Sequence, residues 1–306
     1  MKKGILYVVA TPIGNLEDIT YRAINILKSV DIIAAEDTRH TLKLLNHYEI
    51  SKHLISYHRH NEEIKSGELI KELKEGKDIA LVSDAGTPGI CDPGEVVIKK
   101  CIEEEIKVVP VPGACAFVNA LISSGLNTDT FLFLGFLPLN KKNRKQKLEQ
   151  IKESTQTTII YEAPHKLQST LKDLEEFVSD RNVVLARELT KIHEEFIRGN
   201  IKEIIEKSKD VKGEMIILIE GKPEITLEEK QQEFKNMSLE EHFSFYEKQG
   251  FDKKDIIKKL LKIGEFQKMK FICILWINIL VMFLGPKLMF LGTEQKNISL
   301  GPENIN

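Results

Sequence analysis

The sequence predicts an α/β protein with two domains, each a sheet with flanking helices, followed by a small C-terminal helical segment. Three observations predict it. Short apolar, β-branched runs recur from Ile5 to Glu220, and most of the stretches between them carry apolar residues at helical spacing. A break at Pro112-Gly113 parts these runs into two series of about a hundred residues each, an ordinary domain size. From Pro223 the composition turns to Glu, Lys and Gln, with helical patterning through Leu261. The expected limits are therefore 1–112, 113–222 and 223–306.

In chain order, the first series holds strands at Ile5–Ala10, Ile32–Ala35, Leu54–Tyr57, Ile79–Ser83 and Ile106–Pro110. Such runs are apolar on both faces of the pleat, the mark of a largely parallel sheet covered on both sides. Between the first two, Ile19, Ala23, Ile26, Leu27 and Val30 share one face of a helix. Leu69, Ile70 and Leu73 do the same within Glu62–Glu75, with the charges on the outer side. The second series, Phe131–Gly135, Thr157–Tyr161, Val183–Ala186 and Met215–Glu220, is expected to build a like unit. The opening run, Ile5 to Ala10, is too short for a secretory signal core and leads into Thr11-Pro12 rather than a cleavage site.

Hydrophobic residues at 42% and charged residues at 29% are those of a soluble globular protein. With 44 basic against 46 acidic residues the net charge is −2, so any attraction to nucleic acid must come from a local patch. Cys91, Cys101, Cys115 and Cys273 form no CxxC pair and no zinc-finger spacing, which points to free thiols in a reducing, cytoplasmic compartment and to no metal. The apolar stretch Phe271–Leu284 is shorter than the ~20 residues of a bilayer span, so no membrane contact is expected.

Four loops, each following a predicted strand, carry the chemistry: Thr11–Thr20, Glu36–Thr41, Ser83–Gly94 and Val111–Phe117. In a parallel sheet the carboxyl ends of the strands share one rim, where ligands bind. Gly14, Gly86, Gly89, Gly94 and Gly113 can let a ligand meet bare backbone, and Pro12, Pro88, Pro93 and Pro112 stiffen the same loops. Each loop alone reads as a turn; together they read as a cleft. The absence of G-x-G-x-x-G and of a phosphate-binding loop argues against dinucleotides and nucleoside triphosphates. A ligand such as S-adenosylmethionine is compatible, with Asp84 and Asp92 complementing its cationic part or its ribose. The residues alone permit this cofactor without selecting it.

The ordered strings TPIGNLEDIT, AAEDTRHT, SDAGTPGICDPG, VPGACA, GFLP, YEAPHK and RELTKIHEE resemble the signature set of the ribosomal RNA small subunit methyltransferase I family, within the tetrapyrrole methylase superfamily. The similarity runs from the first strand to Glu220 and weakly on toward Leu260. The resemblance implies a two-domain tetrapyrrole-methylase fold, S-adenosyl-L-methionine in the cleft between domains, and a homodimer. It also implies 2′-O-methylation of a cytidine ribose in the decoding region of small-subunit rRNA. Pro12, Gly14, Asp84, Ala85, Gly86, Asp92, Pro93, Gly113 and Ala116 are the expected cofactor contacts. Cys91 and Cys115 stand where the family has Ser, and Lys166 where it has Arg. After Lys253–Lys262 the family's basic helical ending is replaced here by the apolar stretch, which reads as a divergent or out-of-frame terminus.

Methyl transfer to a ribose hydroxyl needs alignment, exclusion of water and a proton acceptor. Glu162 and His165 in YEAPHK and Glu188 in RELTK are the candidates, with Glu36 and Asp37 behind them. Each can equally be a helix cap or a structural group. For RNA, Lys141, Lys142, Arg144, Lys145 and Lys147 crowd a predicted loop after GFLP, and Arg39, Arg187 and Lys191 lie in the rim motifs. His58, Arg59 and His60 follow another strand at no metal-ligand spacing. Two other functions stay open: a methyltransferase acting on a tetrapyrrole precursor, and a non-catalytic RNA-binding factor of ribosome assembly.

Overall fold

A computed structural model of the chain describes residues 2–223, 238–253, 255–256 and 259–260. Its first sheet contains β1 (Ile5–Val9), β2 (Ile32–Ala35), β3 (His53–Ser56), β4 (Ile79–Val82) and β5 (Lys107–Val111), in the order β3-β2-β4-β1-β5. Every pairing is parallel. The period of two explains why β2 and β4 are wholly buried. Ile32, Ala34, Ile79 and Leu81 pack with Leu69 and Leu73 of α3 (Glu62–Lys74) and Val97 of α4 (Glu95–Glu103). Ile33, Ala35, Ala80 and Val82 face the other way, onto Ala23 and Leu27 of α1 (Tyr21–Ser29) and Leu45 of α2 (Thr38–His47). Side-chain oxygens start both of the latter helices: Thr20 accepts from the Ala23 amide at 3.1 Å and Asp37 from the Arg39 amide at 2.8 Å.

The second sheet contains β6 (Phe131–Phe136), β7 (Thr157–Glu162), β8 (Asn182–Arg187), β9 (Glu195–Asn200) and β10 (Met215–Ile219), in the order β6-β7-β10-β8-β9. It departs from the expected parallel arrangement. Only β6 and β7 run parallel; β10 pairs antiparallel with both β7 and β8, and β8 with β9. The short turn from Glu188 to Glu194 returns the chain directly beside β8, which only an antiparallel pair allows. β9 is an edge strand the sequence did not announce, since EFIRGN carries few apolar residues.

Helices α6 (Lys141–Glu153), α7 (Leu167–Val178) and α8 (Ile201–Lys207) all pack on one face of this sheet, where Leu148, Ile151, Leu171 and Ile204 meet Val183, Leu185 and Ile217. The opposite face, with Ile159, Val184, Ile216 and Leu218, packs on Ile13 and on Ala120 and Leu121 of α5 (Ala116–Ile122). Both sheets thus belong to one compact unit, Met1–Glu224; the chain from Ile225 forms a second. In that unit α9 (Leu239–Lys248) begins with a capping box between Ser238 and Glu241. The apolar stretch Phe271–Leu284 and Cys273 lie outside the described residues. Among those residues, no helix is long and apolar enough to cross a membrane.

Candidate active site

The four loops meet at the carboxyl rim of the first sheet and are stitched to one another by backbone groups. Thr11 and Gly86 exchange hydrogen bonds in both directions, at 2.8 and 3.1 Å. The Asp37 amide donates to Asp84 Oδ1 at 2.9 Å, and the Thr87 hydroxyl donates to the Ala114 carbonyl at 3.1 Å. Two glycines are needed by geometry. Gly86 has φ +79°, and a Cβ on Gly113 would lie 2.9 Å from the Ala10 Cβ.

These loops form one wall of a cleft of about 460 Å³; the second sheet forms the other, with Phe136, Tyr161, Glu162, Met215 and Ile216. The volume suits a cofactor-sized molecule. The walls differ in character. Glu36, Asp84 and Asp92 put three carboxylates on the first, while the second is largely apolar. Burial pushes the Glu36 carboxyl above its usual range, against the pull of the Asp84 amide. Burial, then the charge of Glu36, pushes Asp92 up to about 6; Arg59 opposes the shift and Asp84 adds to it. Negative charge crowded into a half-buried cleft is relieved by a cationic ligand. Cys91 and Cys115 also line the cleft, and burial pushes both thiols up, so they remain neutral.

Of the expected cofactor contacts, Asp84, Ala85, Gly86, Asp92 and Ala116 line the cleft. Pro12, Gly14, Pro93 and Gly113 belong to the same loops but are not in the cleft lining. Gly14 leaves room for the Lys191 side chain, whose Cγ would sit 2.5 Å from an added Cβ.

Among the candidate bases only Glu162 lines this cleft together with Glu36. Glu162 is buried, accepts from the Ala163 amide at 2.8 Å, and accepts the Thr170 hydroxyl on its other oxygen. Arg144 reaches the same Thr170 at 2.8 Å and Asp173 at 2.7 Å. His165 is exposed in the short turn Pro164–Lys166 and stands outside the cleft lining. Glu188 belongs to the turn after β8, at φ +48°, where it accepts from the Glu214 amide and pairs with Lys191 at 3.0 Å. Burial raises its carboxyl, but the Glu214 amide and Lys191 outweigh that and lower it. Asp37 caps α2, and the Arg39 guanidinium holds its carboxyl well below the usual range.

The basic run is not in a loop. It is the first half of α6, because the Asn140 side chain caps the Lys142 and Asn143 amides and Leu148 and Ile151 anchor the helix. Lys141, Lys142 and Lys145 are exposed, with no ion-pair partner among the described residues, whereas Arg144 is tied inward and Lys147 reaches Gln150. Arg187 pairs with Glu195 at 2.7 Å, Lys191 with Glu188 and Glu214, and Arg39, though 88% exposed, with Asp37. Among the described residues no His, Cys, Asp and Glu cluster of three forms a metal site. Sequence reasoning missed Phe136, Tyr161, Met215 and Ile216, whose only signal was membership of a predicted strand or motif.

Comparison with known proteins bears on this geometry. A family model described as tetrapyrrole (corrin/porphyrin) methylases matches residues 5–205. A ribosomal RNA small subunit methyltransferase I from Halalkalibacterium halodurans is 49% identical over 260 residues, covering 84% of this chain and 90% of the relative. The Bacillus subtilis protein of the same name is 48% identical over 258 residues, covering 84% and 88%. Among solved structures, a cobalt precorrin-4 methyltransferase superposes with a TM-score of 0.53 at 16% identity, over 71% of this chain and 94% of that one. A Thermus thermophilus uroporphyrin-III C-methyltransferase complexed with S-adenosyl homocysteine gives 0.51 at 15% identity, over 71% and 97%. At such identities these two structures speak for the fold alone.

Proposed function

The chain belongs to the ribosomal RNA small subunit methyltransferase I family of tetrapyrrole methylases, and from that premise we propose that it methylates the 2′-hydroxyl of a cytidine in the decoding region of small-subunit rRNA. The observation that carries the reading is the two-walled cleft, with three carboxylates on one side and a largely apolar wall holding Glu162 on the other, and with lysines that have no ion-pair partner among the described residues on the helix that follows Phe136. S-adenosylmethionine fits that donor set: Glu36, Asp84 and Asp92 match its two cationic centres, and Ala85, Gly86 and Ala116 offer close backbone.

When bound, the cofactor supplies a methyl group activated by its sulfonium. The chain's own residues do the rest. Asp84 and Asp92 hold the cationic end. Met215, Ile216 and Leu189 exclude water from the reacting centre. Glu162 lines the cleft and is held in place by the Ala163 amide and Thr170, and we assign it the acceptor's hydroxyl proton in preference to His165 and Glu188. Segments 1–112 and 113–222 act as the two domains that supply the walls, with 223–306 as an appendage. Lys141, Lys142 and Lys145 meet RNA phosphates. Free Cys91, Cys101 and Cys115 suit a reducing cytoplasm. A homodimer rests on the family resemblance and is tested by sedimentation.

The decisive experiment offers tritiated S-adenosylmethionine with small ribosomal subunits or with porphyrinoid precursors. Label in the 2′-O-methylcytidine of digested rRNA is expected. Label confined to the porphyrinoid refutes the reading.

A further inference from the structure

We propose that Phe136 is a stacking platform for an unpaired nucleobase of the RNA at the mouth of the cleft, an inference that rests on the rRNA acceptor proposed above. Phe136 lines the cleft, yet 57% of its surface is exposed, while its neighbour Leu137 is 7% exposed. The backbone is built to aim it there. The register of β6 against β7 slips between Phe133 and Gly135, and Gly135 takes φ +62°. A bulge of this kind re-aims the side chain that follows it. A Cβ on Gly135 would lie 2.9 Å from Cys91 Sγ, so the bulge also packs against the loop of the opposite wall.

Among the described residues, one aromatic ring packs against that of Phe136. Tyr161 meets it at 5.6 Å between centroids and 63° between planes. Tyr161 in turn packs against Phe133 at 5.1 Å, and Phe133 stacks on Phe117 at 4.5 Å. This chain of partly buried rings packs against the core of the second sheet and ends, at the cleft, on the exposed ring of Phe136.

The surface just beyond identifies the occupant. Leu139 is 77% exposed, and the first turns of α6 then present Lys141, Lys142 and Lys145 with no ion-pair partner among the described residues. Cations at a helix N-terminus oppose its dipole, so fold stability does not account for them. Single-stranded nucleic acid matches both features: its bases stack on aromatic faces and its phosphates meet cations. An apolar protein partner would use the ring and leave the lysines unmatched. The adenine of the cofactor is the rival stack, and the test separates the two.

The test uses the full chain with Phe136→Ala, with Phe136→Leu, which keeps apolar bulk without a ring, and with Phe136→Trp. Methyl transfer is measured against small-subunit concentration, S-adenosylmethionine affinity by calorimetry, and subunit binding by filter retention. Loss of one stacked base raises KM and the subunit Kd by roughly 5- to 100-fold in the Ala and Leu variants. Cofactor affinity stays at the wild-type value, and Trp restores subunit binding. Unchanged subunit binding in both the Ala and Leu variants overturns the proposal. So does weakened cofactor binding with subunit affinity intact, which gives the ring to adenine. Should the wild-type chain transfer no methyl to subunits, the acceptor reading fails, while filter retention still decides the stack.

Discussion

Asp92 makes cofactor affinity depend on pH in a direction that can be worked out in advance. Its carboxyl titrates at about 6, raised by burial and by Glu36. A cation binds the ionised form, so below that value the proton and the ligand compete. The ionised fraction of a group with pKa ~6 is roughly 0.09 at pH 5, 0.9 at pH 7 and nearly 1 at pH 8. Apparent affinity scales with the competent fraction. S-adenosylmethionine should therefore bind about tenfold more tightly at pH 7 than at pH 5. Calorimetry across that range checks it. Asp92→Asn should give weak binding with a flattened profile. Glu36→Gln removes a neighbouring negative charge, lowers the Asp92 pKa and moves the rise to lower pH. A wild-type profile that is flat between pH 5 and 7, or a slope that survives Asp92→Asn, refutes the assignment of Asp92 to the cationic end.

Other outcomes follow from packing and charge. Gly113→Ala places a methyl 2.9 Å from the Ala10 Cβ, an overpacking worth about 1–3 kcal/mol that urea unfolding reads directly; because the loop after β5 must shift, cofactor binding weakens as well. Replacing Lys141, Lys142 and Lys145 together by Ala should lower the salt slope of subunit binding by up to about 2–3, with cofactor affinity unchanged; an unaltered slope makes them ordinary surface. Arg144→Ala should behave oppositely. It breaks the links to Asp173 and Thr170, costs about 1.5–3 kcal/mol in urea unfolding, and leaves the salt slope alone.

The first sheet was legible because β2 and β4, IIAA and IALV, are apolar on both faces, and parallel strands buried on both faces read as continuous apolar runs. The same pattern misled for the second sheet. MIILI of β10 is just as continuous, yet it runs antiparallel to both neighbours, and direction leaves no mark on the composition of a strand buried on both faces. β9 escaped notice because an edge strand needs few apolar residues. The charged wall of the cleft was legible because four loops rich in glycine, proline and acidic residues follow strands that share one rim, each ordinary as a turn and informative only together. Its apolar wall was not, since Met215 and Ile216 look like any core strand until the other sheet is set against them. The basic helix α6 read as a loop because only Leu148 and Ile151 are buried in it.

The one-sided covering of the second sheet has a consequence for how this protein comes into being. Its helices α6, α7 and α8 protect one face, and among the described residues the face bearing Ile159, Val184, Ile216 and Leu218 packs on Ile13 of the first sheet's loops and on Ala120, Leu121 and Leu189, all earlier in the chain than β10. During synthesis the parallel half emerges first and can complete both of its own cores. The later half is an apprentice to it: its last central strand, β10, arrives after both its neighbours and docks into a slot between them. Neither half is therefore a freely exchangeable module.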